Sequence, residues 1–179
     1  MRRAVCVFCG SRVGSPRDYR GLAAAAGRRL ALAGHRIVYG GGDVGLMGAV
    51  ADAAIAAGGD VTGFIPERLL EREVGHRGIA DLTVTPDMFE RKRLMIASSE
   101  AFLALPGGLG TVDEILDVVT LKQLGYHDHP IVLVDDQGFW RPFRTLVDHV
   151  VTHGFADRSA AELFTLATDV EAAIAQLSD

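Results

Sequence analysis

Short runs of apolar, often β-branched residues alternate along the chain with longer stretches whose apolar positions recur at helical spacing. The short runs predict strands at residues 4–9, 35–39, 60–65, 81–85, 101–105 and 130–134, with a shorter seventh at 164–167. The longer stretches predict helices that include residues 18–33, 44–57, 88–99 and 111–124. Strands that are apolar on both faces and alternate with helices are typical of a parallel sheet covered on both sides. We therefore predict an α/β fold: one domain over residues 1–179, with a doubly wound, Rossmann-like parallel sheet and helices on both faces.

The loops that follow the strands are where chemistry is expected, because ligands of open α/β sheets bind beyond the carboxyl ends of the strands. Three of these loops are rich in glycine or small polar residues, at 9–12 (CGSR), 40–48 (GGGDVGLMG) and 106–111 (PGGLGT). Glycine lets backbone N–H groups approach an anion closely, and the N-terminus of the helix that each loop opens favours negative charge. Their convergence at one sheet edge favours a phosphorylated ligand. The candidate substrate-binding residues in the first two loops are Ser11, Gly41, Gly42 and Met47.

The glycines from Gly40 to Gly45 match the G-x-G-x-x-G pattern of dinucleotide-binding folds. The pattern follows the second predicted strand rather than the first, and the acidic residue expected on a ribose would be near Glu67, just past Pro66. Both features disfavour a nicotinamide dinucleotide, and no G-K-[ST] follows a glycine loop to suggest a Walker site. The charged segment 66–78 is predicted to be an irregular connection that forms part of a lid or binding rim.

Two cations, Arg91 and Lys92, flank the helical face that carries Met88 and Met95. They are either a solvated first turn of a helix or a pair of cations at the edge of an anion-binding pocket, and the residues alone do not favour one reading. Glu114 is also open to two readings. In Thr111-Val112-Asp113-Glu114 it completes a T-x-x-E capping box, which the local pattern favours over a catalytic carboxylate.

Composition narrows the classes of function. The net charge is −5 and the basic residues are scattered, which disfavours nucleic acid as a partner. The longest apolar runs are broken well before the roughly 18 residues that a membrane span needs. The first residues run directly into a strand-like segment without the apolar core of a signal peptide, so we expect a cytoplasmic protein that does not contact membranes.

Metal and redox chemistry find little support in the sequence. Cys6 and Cys9 form a C-x-x-C, but in a strand a spacing of three points the two thiols to opposite faces. His149 and His153 are spaced one helical turn apart, yet the glutamate of an H-E-x-x-H site is missing. We therefore expect no metal site and no cofactor.

The stretches 40–48 (GGGDVGLMG), 88–95 (MFERKRLM) and 106–114 (PGGLGTVDE) together resemble a known family, the cytokinin-activating phosphoribohydrolases called LONELY GUY. The last stretch fits the family pattern P-G-G-x-G-T-x-x-E, and the similarity in spacing runs from about residue 6 to about residue 155. Bacterial relatives of the family have carried the label "possible lysine decarboxylase". Nothing around Lys92 or Lys122 indicates a pyridoxal site that would support that label.

The resemblance implies hydrolysis of the N-glycosidic bond of AMP, or of its N6-modified cytokinin analogues, to free base and ribose 5-phosphate. It implies that Arg91 and Glu114 are catalytic, and that Lys92, Thr120 and Glu73 line the substrate site. It places the remaining substrate-binding residues in the third glycine loop, at Gly108, Leu109, Gly110, Thr111, Val112 and Asp113. It also implies a homodimer or a larger homo-oligomer.

Two positions depart from the family pattern. Phe89 stands where the family usually has a histidine, and Arg12 replaces the second serine of its C-G-S-S loop. The first change removes a polar contact, and the second offers a phosphate ligand. An alternative function of a different class uses the same fold and loops: a non-catalytic carrier of a phosphorylated cofactor, such as molybdenum cofactor. The pair Arg91 and Glu114 favours the enzyme, because a carrier has no need of the carboxylate.

Overall fold

The computed structural model describes residues 2–70 and 75–178. All strands of the described chain lie in one parallel sheet. They are β1 (Ala4–Phe8), β2 (Arg36–Tyr39), β3 (Val61–Pro66), β4 (Asp81–Thr85), β5 (Ala101–Ala104), β6 (Ile131–Val134) and β7 (Thr165–Ala167). Each lies within about two residues of its prediction, and the short seventh strand is confirmed.

The helices that connect these strands are α1 (Arg20–Leu32), α2 (Gly45–Ala56), α3 (Glu67–Leu70), α4 (Met88–Ala97), α5 (Leu109–Gln123), α6 (Arg141–Thr152) and α7 (Val170–Ser178). Two 3₁₀ turns, Asp136–Gly138 and Arg158–Glu162, lie on either side of α6. The segment predicted to be irregular, 66–78, instead begins with the short helix α3. The predicted helices are all present, although α5 begins two residues earlier than expected.

The strand order is β4-β3-β2-β1-β5-β6-β7, so the chain winds outward from β1 in one direction and then from β5 in the other. The change of direction leaves a crevice between β1 and β5 at the carboxyl edge of the sheet, which is the usual place for a ligand in such a fold. Helices α1, α2 and α7 cover one face of the sheet, and α4, α5 and α6 cover the other. The predicted doubly wound architecture is confirmed.

The two cysteines show how the strand alternation divides the core. Cys6 packs in the cluster beneath α4, α5 and α6, whereas Cys9 packs in the cluster beneath α1, α2 and α7. Both are buried and neither forms a disulfide. The prediction that they point to opposite faces is therefore confirmed. Across the described ranges, no helix has the length and apolar character required to cross a bilayer.

Candidate active site

A cleft of about 600 Å³ lies at the carboxyl edge of the sheet, where the winding direction changes. Its floor is formed where the loop after β1 meets the loop after β5, and the backbone N–H of Gly10 donates to the carbonyl of Pro106 at 3.2 Å. The glycine loop after β2 joins them, since the N–H of Leu46 donates to the carbonyl of Gly10 at 3.0 Å. All three glycine-rich loops of the sequence thus border one cavity.

Arg91 reaches this cleft from the first turn of α4 and is buried, with 6% of its surface exposed. Its Nε donates to the carbonyl of Phe64 at 3.1 Å, and its Nη2 donates to the carbonyl of Gly40 at 3.2 Å. One carbonyl within β3 and one directly after β2 therefore hold the guanidinium. Arg91 is therefore not a solvated surface cation. Its delocalised charge lies at the cleft in a place with little water to screen it.

Glu114 lines the same cleft from the second turn of α5 and is 9% exposed. The capping-box reading of this residue is wrong, because α5 begins at Leu109 with Gly108 as its N-cap. Thr111 is already inside the first turn, so it is not the capping residue that the pattern requires. The Glu114 carboxylate is consequently a buried acid beside the cleft rather than a helix cap.

The N-terminus of α5 also opens into the cleft. Its N-cap Gly108 makes no side-chain capping bond, and the first backbone bond inside the helix runs from the N–H of Val112 to the carbonyl of Gly108. The N–H groups of Leu109, Gly110 and Thr111 precede that bond, so they have no partner within the helix. All three residues line the cleft. This arrangement is suited to binding an anion, because unpaired N–H groups and the helix dipole act together.

Cys6 is a buried residue of β1 whose ionisation responds to both charged residues of the cleft. Burial raises the pKa of the Cys6 thiol well above its ordinary value, and the nearby carboxylate of Glu114 raises that pKa further. The side-chain hydrogen bond with Ser99 and the positive charge of Arg91 act in the opposite direction. The charges of Glu114 and Arg91 therefore shift the pKa of this thiol in opposite directions, and burial dominates both.

Of the residues that the sequence indicated, the cleft brings together eight: Ser11, Met47, Arg91, Gly108, Leu109, Gly110, Thr111 and Glu114. Six others lie outside its lining, namely Gly41, Gly42, Lys92, Val112, Asp113 and Thr120. Glu73 lies outside the described residues. Helical geometry explains part of this division, because Val112, Asp113 and Thr120 occupy other faces of α5 than Thr111 and Glu114.

Lys92 turns away from the cleft although it is adjacent to Arg91 in sequence. Its ammonium lies 2.9 Å from Asp113 and 2.8 Å from Asp117, both on α5. Partial burial lowers the pKa of Lys92, but the hydrogen bonds with Asp117 and Asp113 outweigh that effect and the net shift is upward. Lys92 thus joins α4 to α5 in this structure.

Two aromatic residues that the sequence did not single out also line the cleft, Tyr19 and Phe139. Their ring centroids are 5.8 Å apart in an edge-to-face arrangement. A signal for Phe139 was present, because it follows β6 and therefore belongs to a carboxyl-edge loop. Tyr19 carried the same signal, because it is the N-cap of α1 and ends the loop that follows β1. Only the folded chain shows that the two rings meet. Arg12, noted as a departure from the family pattern, lies in the same lining.

The chain has two lysines, Lys92 and Lys122, and neither belongs to the cleft lining. The Lys122 ammonium donates to the carbonyl of His129 at 2.8 Å, and Lys92 is paired with two carboxylates. A Schiff-base lysine needs to reach the reacting centre as a free amine. The positions of both lysines therefore argue against pyridoxal-dependent decarboxylation at this cleft.

Comparison with known proteins gives a family match over most of the chain and relatives that match nearly all of it. Residues 47–177 match the family model described as "possible lysine decarboxylase". A cytokinin riboside 5′-monophosphate phosphoribohydrolase of Rhodococcoides fascians is 41% identical over 176 residues, which span 98% of this chain and 89% of that protein. A cytokinin riboside 5′-monophosphate phosphoribohydrolase of Arabidopsis thaliana is 36% identical over 99% of this chain and 83% of its own length.

Similar solved structures include a molybdenum cofactor binding protein from Rippkaea orientalis. It has a TM-score of 0.76 and 21% sequence identity, and the match covers 99% of this chain and 96% of that one. A Moco carrier protein from Chlamydomonas reinhardtii gives a TM-score of 0.74 at 21% identity, with the same coverage of both chains. At this identity the likeness establishes the fold and no more.

Proposed function

This chain belongs to the possible lysine decarboxylase family, in the branch of the cytokinin riboside 5′-monophosphate phosphoribohydrolases, and from that premise we propose its reaction. It hydrolyses the N-glycosidic bond of AMP or of an N6-modified adenosine 5′-monophosphate, giving free base and ribose 5-phosphate. The observation that carries the proposal is the burial of Arg91 and Glu114 at one cleft, next to the open N-terminus of α5.

The 5′-phosphate binds at the N-terminus of α5 in this proposal. The N–H groups of Leu109, Gly110 and Thr111 supply donors without competing partners in the helix, and Arg12 adds a positive charge at the same cleft. A phosphate held in this way fixes the ribose relative to Glu114, which replaces a diffusional encounter by a defined geometry. The substrate is accordingly a nucleotide rather than a nucleoside.

Glu114 acts on the sugar. Breaking the bond between C1′ and the base nitrogen leaves positive charge on the ribose ring, as in other glycoside hydrolyses. A buried carboxylate stabilises that charge and orients the attacking water, accepting a proton as the water adds to C1′. The base leaves with the electron pair of the broken bond and takes up a proton. The balanced products are free base and ribose 5-phosphate, and the step needs no metal or redox cofactor.

Arg91 supplies a buried positive charge at the site. Two of its N–H groups are engaged by the carbonyls of Phe64 and Gly40, which fixes the plane of the guanidinium. The charge then either holds the substrate phosphate or assists departure of the base. The first role lowers KM chiefly, and the second raises kcat, so the kinetics of Arg91→Lys distinguish them.

We also propose that the protein acts in the cytoplasm as a homodimer or a larger homo-oligomer. Two exposed apolar side chains support self-association. Leu109 on α5 lines the cleft and is 89% exposed, and Phe89, two residues before Arg91 on α4, is 80% exposed. Exposed large apolar side chains near a functional site are typical of surfaces that another protein covers. Size-exclusion chromatography with light scattering measures the oligomeric state directly.

The test of the reaction is incubation with AMP, isopentenyladenosine monophosphate and adenosine, followed by measurement of free base and ribose 5-phosphate. We expect both nucleotides to be cleaved, with kcat/KM for AMP at least about 10²-fold above that for adenosine. Equal turnover of nucleotide and nucleoside contradicts the phosphate-dependent site. Tight retention of molybdenum cofactor without turnover of any nucleotide supports the carrier alternative instead.

A further inference from the structure

His76 lies against the glycine loop that follows β2, at the edge of the described segment 75–178. Its backbone N–H donates to the carbonyl of Gly41 at 3.0 Å, and Gly75 forms an antiparallel bridge with Gly42. The chain around His76 is therefore bound to the glycine loop through its backbone. None of the reaction steps proposed above uses this histidine, although it is 4% exposed and ionisable.

The imidazole ring is held in one tautomer by its surroundings. Its Nδ1 accepts a hydrogen bond from the backbone N–H of Gly78 at 3.1 Å, so a neutral ring carries its proton on Nε2. The Nε2 atom lies 3.2 Å from Asp52 on α2 and 3.5 Å from Asp43 in the glycine loop. One buried N–H thus faces two carboxylates from different elements.

The group of His76, Asp43 and Asp52 has a spacing that a metal ion could also use, because its ligand atoms lie within 4.8 Å of one another. A metal would need the lone pair of Nε2, and the bond from Gly78 to Nδ1 places the proton there instead. The hydrogen-bonding pattern therefore favours an anchor between protein groups over a metal site.

The anchored loop is the one that orients Arg91. Gly40 follows β2 directly, and its carbonyl accepts the bond from Arg91 Nη2 at 3.2 Å. Gly40 has no side chain to fix the direction of that carbonyl, so its orientation depends on how the rest of the loop is held. Within 40–43, His76 contacts Gly41 through the backbone and Asp43 through the ring.

From this chain of contacts we propose that His76 is a positioning residue: its Nε2–H holds Asp43 and Asp52 together, fixes the glycine loop, and through the Gly40 carbonyl orients Arg91. The proposal depends on the proposed function only for its catalytic readout. It predicts that the ring acts through Arg91 and not on the substrate, since His76 is absent from the lining of the cleft.

Two substitutions separate the functions of the two ring nitrogens. His76→Gln keeps an N–H donor at the position of Nε2, and His76→Asn keeps an acceptor at the position of Nδ1. We expect His76→Asn to lower kcat/KM for AMP by about tenfold, because small displacements of a catalytic group have large effects on rate. We expect His76→Gln to stay within about threefold of the parent, because its donor preserves the contact with the carboxylates. A lower kcat/KM in His76→Gln than in His76→Asn overturns the proposal. Equal kcat/KM in the parent and both variants also overturns it.

A double-mutant cycle tests whether the effect passes through Arg91. In an Arg91→Lys background the guanidinium that the loop orients is gone, so His76→Asn should lower the remaining kcat/KM by less than about twofold. A histidine with a purely structural role would reduce activity by the same factor in both backgrounds. Equal factors therefore contradict the positioning role.

Amide hydrogen exchange of the free protein tests the anchor without any reference to catalysis. Exchange of residues 40–46 should be faster by about tenfold in His76→Asn than in the parent or in His76→Gln. If the parent does not cleave nucleotides but exchange in 40–46 is faster in His76→Asn alone, the proposed function is wrong and the role of His76 in holding the loop is supported. If nucleotides are cleaved but exchange is unchanged in His76→Asn, the anchor is wrong. A rise in the parent's melting temperature with Zn²⁺ that His76→Gln abolishes would also overturn it, in favour of a metal site.

Discussion

The Nη2 atom of Arg91 lies 3.2 Å from the carbonyl oxygen of Gly40, and a β-carbon on Gly40 would come within 1.8 Å of that same nitrogen. The glycine thus provides both the acceptor that orients the guanidinium and the space through which it reaches the cleft. Fifty-one positions separate the two residues in the chain. This close approach links the second glycine loop to α4 and makes the position of Arg91 sensitive to a single methyl group.

Gly40→Ala should therefore displace Arg91 from the cleft. We expect kcat/KM for AMP to fall by about 10²-fold or more, because a misplaced catalytic cation loses its stabilisation of the reacting charge. Gly21→Ala is the matched control, since a β-carbon at that position on α1 meets no atom within 4 Å. The control should retain full activity and gain up to about 1 kcal/mol of stability from the lower entropy of its unfolded state. Parental activity in Gly40→Ala would show that Arg91 does not need its observed position.

Arg91→Ala should affect both catalysis and folding. It removes the buried positive charge, which should lower kcat/KM by about 10²-fold or more. It also leaves the carbonyls of Gly40 and Phe64 without their donor, which should cost about 1–3 kcal/mol in the free energy of unfolding. Urea unfolding and steady-state kinetics measure the two effects separately.

The neighbouring residue offers the control for Arg91. Lys92→Met removes an adjacent cation that pairs with Asp113 and Asp117 rather than lining the cleft. We expect its kcat/KM to stay at least about tenfold above that of Arg91→Ala, because its charge lies outside the site. If kcat/KM falls equally in the two variants, Lys92 is a substrate-binding residue, as the family resemblance implied.

Glu114→Gln tests the carboxylate with almost no change of shape. Glutamine preserves the size of the side chain but supplies neither the negative charge nor the basicity that the reaction requires. We expect turnover of AMP to fall by about 10²-fold or more, with a change below about 1 kcal/mol in the free energy of unfolding. Activity within a few-fold of the parent would mean that Glu114 is not catalytic.

Cys6 predicts a pH dependence of stability. Burial raises the pKa of the thiol in the folded state above its ordinary value of 9.0, and the charge of Glu114 raises it further. The contribution of the neutral thiol is therefore complete below about pH 9 and declines as the pH rises further, because the unfolded chain then ionises first. The free energy of unfolding should decline more steeply above pH 9 in the parent than in Cys6→Ala, by up to about 1.4 kcal/mol per pH unit. Parallel curves from urea unfolding would contradict the burial of a neutral thiol.

The sequence by itself determined the class of fold and the edge at which chemistry occurs. Runs that are apolar on both faces can be satisfied only when helices cover both sides of a parallel sheet, and glycine loops after strands can only gather at its carboxyl edge. The same alternation placed Cys6 and Cys9 on opposite faces. These conclusions follow from local periodicity, which the chain carries in each short segment.

The tertiary structure decided which residues face the cleft. The T-x-x-E pattern is local and favoured a cap at Thr111. The helix instead begins at Leu109 with Gly108 as its N-cap, and the loop before it accepts a backbone bond from Gly10 at the Pro106 carbonyl. Arg91 and Lys92 are indistinguishable neighbours in the sequence, yet one is held by carbonyls of β3 and of the loop after β2, and the other by carboxylates of α5. Those partners lie 21 to 51 positions away. Contacts over such separations depend on how the strands are ordered in the sheet, and no local periodicity in the sequence records that order.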